Sequence, residues 1–412
     1  MSSFSSRFVQ GKFAEYYGSD SFSVHPPTSI EKREFGFLLL KERIMLRHKT
    51  FRNPDDLRSF LERIIPSDVY YSSAYYERPD REMEEKGWLG ADLIFDIDAD
   101  HIPTPCAKDH DRWVCTSCGT TGRGLVPKEC PVCGERGFDE RTWPCEVCLE
   151  SAKAEAMKLI DMLMKDFGFP PEEIRVSFSG HRGYHVHVES ENIRKLDQMA
   201  RKEIVDYLLG IGLETGFHGL ANSTTRARVL AGPRLDDSGW RGRIARGTYE
   251  FLHTATPEAL EKIGLKTTIA NTISKHKKEL LESWKAAGPW GIVKGIGIES
   301  WRKIAEHGIT TQSSKIDTVV TTDIHRLIRL GNTLHGKTGL KKVGVAIKEL
   351  EAFDPFKDAV VFKEGTVKMH VSDGPKFRIG DEIYGPYKEE KIELPTAAAL
   401  LLLCKKAAKV VR

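Results

Sequence analysis

Three carboxylates alternate in "LIFDIDADH", where Asp96, Asp98 and Asp100 follow an apolar start at Leu93. On a strand, side chains two residues apart share a face, with Cα atoms about 6–7 Å apart. Like charges that close repel and raise one another's pKa, so the arrangement is costly unless a cation sits between them. Asp96 and Asp98 read as ligands of a hard divalent cation, Mg²⁺ or Mn²⁺, which prefers carboxylates and phosphate oxygens. Two such ions serve nucleotidyl transfer, one activating the attacking hydroxyl and one steadying the triphosphate. A third carboxylate from a distant strand completes such a site, and Asp323 in "VVTTDIHRL" is the candidate. Asp100 falls past the expected strand end and reads as a turn residue.

Basic residues cluster in two other places. "SGHRGYHVH" sets Ser179, His181, Arg182, His185 and His187 around a glycine turn. Such a turn brings backbone N–H groups close to phosphate, and an arginine fork can clamp its oxygens. "DIHRLIRLGNTLHGKTG" adds Arg326, Arg329, His335 and Lys337. From Gly331 it also matches the G-x-x-x-x-G-K-T phosphate loop formally, but neither a clean strand before it nor a helix start after it is expected. A third basic tract has Arg226, Arg228, Arg234, Arg241, Arg243 and Arg246 around Trp240. It reads equally as a nucleic-acid track or as a solvated face with a core tryptophan.

Six of the eight cysteines form three C-x-x-C pairs. Cys115/Cys118 and Cys130/Cys133 each end in glycine and are separated by eleven residues, a zinc-ribbon pattern. Cys106, His110, Cys145 and Cys148 remain as a second four-ligand set, with His101 competing for the place of His110. Redox-active pairs and an iron–sulfur cluster are the alternatives. Cys404 sits in an apolar segment and reads as a buried small hydrophobe.

The elements that hold these residues follow from periodicity. Residues 91–98 predict a strand with Leu93, Phe95 and Ile97 opposite the acids. "PDDLRSFLERII" predicts a helix with Asp55 or Asp56 near its start, and 149–167 another, stopped by Gly168 and Pro170–Pro171. "IRVSFSGHRGYHVHVES" predicts a hairpin that puts His185 and His187 on one face. Residues 101–148 have too little periodicity for a core of their own and read as a metal-organised module. Residues 195–314 predict a helical insertion, and the chain returns to strand at "KIDTVVTTDIHRLIRL". The expected domains are a catalytic part of 1–194 with 315–412, and the insertion at 195–314. At 412 residues, 29% charged and a net charge of +3, the chain is expected to be soluble, with any basic surface local. "AAALLLLC" at 397–404 is too short to span a bilayer, and the N-terminus has no apolar signal region. No membrane partner and a cytoplasmic, reducing location are therefore expected.

In order along the chain, "IEKREFGF", "LIFDIDADH", "WPCEVCLESAK", "SFSGHRGYHVHV", "TTDIHRLIRLGNTLHGKTGL", "FDPFKDAVVF" and "ELPTAAALLLL" resemble the catalytic small subunit of archaeal and eukaryotic DNA primases, closest to the archaeal form. The resemblance spans nearly the whole length. It implies an α/β (α+β) catalytic core with an RRM-like sheet, and template-directed primer synthesis from NTPs, with dNTPs as further substrates, on single-stranded DNA. It implies metal ligands at Asp96, Asp98 and Asp323, nucleotide contacts at Ser179, His181, Arg182 and His185, and triphosphate contacts at Arg329, His335 and Lys337. One zinc site is implied at Cys106, His110, Cys145 and Cys148, and the ribbon of Cys115, Cys118, Cys130 and Cys133 is an insertion into the family's shorter loop. His181 stands where some relatives have arginine, and Gly331 where proline is common. An iron–sulfur-containing large subunit is the implied partner and the nucleoid of an archaeal cell the implied place. Rival readings are a repair or translesion primase-polymerase, a non-catalytic zinc-ribbon DNA-binding protein, and a DxD glycosyltransferase; the last leaves Asp323 and the basic tract unexplained.

Overall fold

The computed structural model describes residues 3–40, 44–124, 126–220, 232–286 and 288–411, so Arg226 and Arg228 lie outside the described residues. The chain is α+β and divides into two compact units: residues 1–157, 170–202 and 315–412, and residues 158–169 with 203–314. All the candidate site residues belong to the first.

The first unit opens with helix α1 (Ser3–Tyr17) and strands β1 (Phe35–Leu39) and β2 (Met45–Lys49). Helix α2 (Pro54–Ile64) starts where expected, but its cap is Asn53, whose side chain accepts from the Asp56 N–H; Asp55 and Asp56 lie in the first turn. Strands β3 (Pro66–Ser72) and β4 (Leu93–Asp98) follow, then a small three-stranded ribbon of β5 (Arg112–Cys115), β6 (Thr121–Arg123) and β7 (Phe138–Arg141). Helix α3 runs over Glu146–Lys165, and β8 (Ile174–Phe178) and β9 (Gly183–Val188) form the expected hairpin. After the second unit come the short helix α4 (Thr318–Thr322) and strands β10 (Leu327–Arg329) and β11 (Val343–Val345).

Two antiparallel four-stranded sheets result, ordered β10-β3-β1-β2 and β11-β8-β9-β4. In the second, Leu93, Phe95, Ile97, Val176, Phe178, Tyr184 and Val186 are almost fully buried. Each such side chain contributes roughly 1.5–3 kcal/mol of burial, which offsets the cost of placing acids on the other face. That other face is covered as well: His185 and His187 are both buried. The apolar segment before Cys404 is the buried helix Thr396–Cys404. Among the described residues, no helix is long and apolar enough to cross a membrane.

The return to strand expected at "KIDTVVTTD" does not occur. Asp317 accepts from the N–H groups of Val319 and Val320 and caps α4, overriding the strand propensity of the β-branched run.

The second unit is helical. In it, helices Gly239–Thr254 and Ile298–Gln312 cross at Gly247 and Gly308, where a Cβ on Gly247 would lie 2.6 Å from the Gly308 carbonyl oxygen. The basic tract of this unit is answered from within. Arg243 is buried and bonds Asp166 at 2.5 Å and Asp161 at 3.0 Å, Arg241 meets Asp237 at 2.6 Å, and Arg234 meets Asp236 at 3.1 Å. Arg246 donates to the Leu235 carbonyl at 3.1 Å. Trp240 is buried and donates to the Tyr207 carbonyl, so the core reading of this tract holds.

Candidate active site

Strand β9 brings the hairpin against the acids. Its register pairs His185 with Asp96 and Gly183 with Asp98. A Cβ on Gly183 would sit 2.1 Å from the Ile97 carbonyl oxygen, so only glycine lets the strands approach this closely. His185 Nε2 lies 3.6 Å from the Asp96 carboxylate.

The third acid at this place is Asp317, which the sequence reading missed. The Asp317 N–H donates to the Asp96 carbonyl at 2.8 Å. Burial first, and then the charges of Asp98 and Asp317, together push the Asp96 carboxyl up to about 7. Asp98 is raised as well, by burial. Asp323, six residues on, is held elsewhere. It ends α4, accepts from the His325 N–H at 2.9 Å, and belongs to the surroundings of Tyr76 and His325. His101, weighed above as a zinc ligand, lies 3.9 Å from the Asp317 carboxylate.

Asp96, Asp98 and Asp317 offer hard oxygen donors, and among the described residues no cationic side chain beyond histidine is paired to Asp96 or Asp317, a donor set that fits Mg²⁺ or Mn²⁺. Because the folded chain holds the Asp96 proton more tightly than an unfolded one, this group removes stability as pH rises from about 4 to 7. A divalent cation needs the ionised form. Mg²⁺ binding near pH 6.5 is therefore expected to release up to one proton and to tighten as pH rises toward 7, and Asp96→Asn to abolish the release. Calorimetry in two buffers of different ionisation enthalpy reads this directly; binding without proton uptake by the buffer would refute it.

On the far side of Asp98 a cavity of about 480 Å³ is lined by Asp98, Asp100, His181, Arg329, His335 and Lys337, among others. Arg329 is fixed there by a partner that lacks a sequence motif. Arg329 bonds Asp68 at 2.6 Å, and the Asp68 carboxylate also accepts from the Gly336 N–H at 3.1 Å. The G-x-x-x-x-G-K-T segment is thus a set of turns wrapped on Asp68, without a following helix, as expected, although a strand, β10, does precede it because Leu327–Arg329 pairs with β3. His335 accepts from the Lys337 N–H and stacks on His181, with ring centres 5.1 Å apart. Lys405, just past the C-terminal helix, bonds His181 Nε2 at 2.7 Å. Burial holds His181, His185 and His335 well below the usual imidazole range, so they are neutral at neutral pH. Ser179 has a different part: its hydroxyl accepts from the N–H groups of His181 and Gly183 and shapes the turn.

Arg182 is buried and paired. It bonds Asp111 at 2.7 and 2.9 Å and forms an ion pair with Asp100, which explains the third acid of "LIFDIDADH". Asp111 in turn receives His110 Nδ1 at 2.7 Å, while His110 Nε2 faces Cys148 at 3.4 Å. A histidine placed to ligate a metal is thereby connected through one carboxylate to the arginine beside Asp98, the arrangement that orients ligating histidines.

The cysteines divide into the two sets anticipated. Ligand atoms of Cys106, His110, Cys145 and Cys148 all lie within 4.8 Å of one another, as do those of Cys115, Cys118, Cys130 and Cys133. Sulfur pairs stand at 3.4 Å in the first and 3.6 Å in the second. A tetrahedral zinc with bonds of about 2.3 Å sets such edges near 3.7 Å, so both sets are compatible with zinc.

The site thus defines a class: an α+β protein with a carboxylate cluster beside a cavity lined by Arg329 and Lys337, and with one cysteine–histidine set and one four-cysteine set compatible with zinc. Residues 139–347 match the DNA primase small subunit family. Curated relatives named DNA primase small subunit PriS include that of Methanothrix thermoacetophila, 35% identical over the whole of both chains. That of Archaeoglobus fulgidus is 34% identical over 97% of this chain and 96% of its own, and that of Nitrosopumilus maritimus 30% identical over 98% of each. The chain belongs to the DNA primase small subunit family.

Proposed function

We propose that this chain is the catalytic subunit of a DNA primase, which starts new chains on single-stranded DNA during replication. The observation that carries the reading is the convergence of Asp96, Asp98 and Asp317 next to a cavity lined by Arg329 and Lys337. We assign the divalent cations to these three acids, with Asp317 replacing Asp323. Two bound Mg²⁺ or Mn²⁺ ions would lower the pKa of the attacking 3′-hydroxyl and screen the triphosphate. Arg329 and Lys337 supply fixed charge to the β- and γ-phosphates of an NTP or dNTP. His181, His185 and His335 donate as neutral imidazoles, and Arg182 reaches the nucleotide from its Asp100–Asp111 clamp. Attack of the 3′-oxygen on the α-phosphorus forms the new ester, breaks the bond to the β-phosphate oxygen and releases pyrophosphate. No protein nucleophile takes part.

We further assign zinc to both cysteine sets, and to the first compact unit the whole of catalysis. The small-subunit family implies a large-subunit partner, which we take to carry the iron–sulfur domain. Primer synthesis on a bare single-stranded template, with and without that partner, tests the reading. Asp98→Asn is expected to lower product by about 10²–10³-fold, the scale of removing a transition-state electrostatic group. Undiminished synthesis would sink the metal assignment, and extension without initiation would favour a repair polymerase.

A further inference from the structure

The inserted ribbon carries a charge pattern that the catalytic reading does not use. Its register pairs Arg112 on the central strand β5 with Arg123 on β6 and with Arg141 on β7. Three arginines therefore stand abreast, spanning about 10 Å at ordinary strand spacing. Like charges directly opposite on a sheet destabilise it. A counter-charge relieves that cost, yet among the described residues only Arg112 has an acidic partner, Asp373. Arg123 and Arg141 are exposed and have no acidic partner there. The arginines of residues 234–246, by contrast, are all met by carboxylates or a carbonyl of their own unit.

The row also borders a cavity of about 430 Å³ whose wall includes Arg112, Arg123, Arg141, Asp373 and Lys405. Three arginines line it beside one carboxylate. Lys405 is buried and bonds His181, which lines the proposed triphosphate cavity. The row therefore borders a cavity joined to the nucleotide site by one hydrogen bond, from wall residue to wall residue.

We propose that the Arg123–Arg112–Arg141 row is a docking track for the phosphate backbone of single-stranded nucleic acid. Exposed guanidinium groups fork onto phosphate oxygens, and a linear row suits a strand better than a compact anion. Trp113 borders the same cavity, but it is buried and packs edge-on against Phe138, so it offers no open face to a base. Without a stacking platform the contact is to phosphate and independent of sequence. The proposal rests on the primase reading only in taking a nucleic acid as the substrate, and it needs no metal at Asp96, Asp98 or Asp317.

The test is anisotropy of a labelled oligodeoxythymidine on the full chain across a salt series, with Arg123→Gln/Arg141→Gln as the variant. We expect affinity at low salt to fall at least 5-fold and the log–log salt slope to become shallower by about 1.4, two contacts at roughly 0.7 each for single strands. Arg123→Lys/Arg141→Lys, which keeps the charge, should hold the slope, and zinc content should be unchanged in both. Unchanged affinity and slope in the glutamine variant would overturn the proposal. So would a defect confined to the KM for NTP or to inhibition by inorganic pyrophosphate, because the cavity would then take free polyphosphate. Repeating the binding in Asp98→Asn separates the two readings, since strand binding there should persist even as synthesis is lost.

Discussion

An Asp317→Asn chain is expected to lose primer synthesis by at least about 10²–10³-fold, whereas Asp323→Asn stays within a few-fold of the parent. The contrast follows from where the backbone puts each acid. Asp317 is joined to Asp96 through its own N–H, and its charge acts on the Asp96 carboxyl. Asp323 spends its carboxylate on the His325 N–H at the other end of a five-residue helix. The asparagine amide at 317 can still accept from the Val319 N–H, so helix α4 and the main-chain bond to Asp96 should survive. Loss of activity would then report the missing charge, and circular dichroism and Tm close to the parent's would establish that. Equal loss in both variants, or loss in Asp323→Asn alone, would return the third ligand to Asp323.

Removing one ligand of the first cysteine–histidine set should be the most damaging change to the fold around the site. Cys148→Ser is expected to lower bound zinc from two ions per chain to one, measured by plasma emission spectroscopy, and to lower Tm. Structural zinc contributes on the order of 10–16 kcal/mol of apparent binding energy to small modules, and residues 101–148 have little core to replace it. Primer synthesis should fall at least about 10-fold, because the damage passes from His110 through Asp111 to Arg182. Asp111→Asn separates the two effects. It should keep both zinc ions yet leave buried Arg182 short of a partner, a loss of about 3–5 kcal/mol for a broken buried pair. Full activity in Asp111→Asn would show that the zinc set and the acids are merely neighbours.

What was legible in the sequence was whatever short-range spacing enforces. Period-two alternation placed Asp96 and Asp98 on one face, and C-x-x-C spacing delivered two compact ligand sets. Asp317 was missed because "KIDTVVTTD" offers two acids in one β-branched run, and strand propensity hid the five-residue helix between them. The signal was present in part: an aspartate two residues before a paired N–H is a cap. Asp111 could have been suspected from its place beside a zinc ligand. Asp68 and Lys405 had no local signal at all, since their partners Arg329 and His181 are more than 200 residues away in the chain. Arg182 was read as a cation for phosphate, and its pairing with two carboxylates had no local signal.

The bond from the Asp317 N–H to the Asp96 carbonyl has a consequence for the order of assembly. It closes a loop of about 220 residues, and contacts of such sequence separation form late because chain entropy opposes them until the rest is in place. During synthesis on the ribosome, Asp96 and Asp98 emerge long before the segment that completes their cluster. A nascent or truncated chain ending before residue 317 can organise its cysteines and still lack the third acid. The carboxylate cluster is therefore completed late, in an order written into the connectivity.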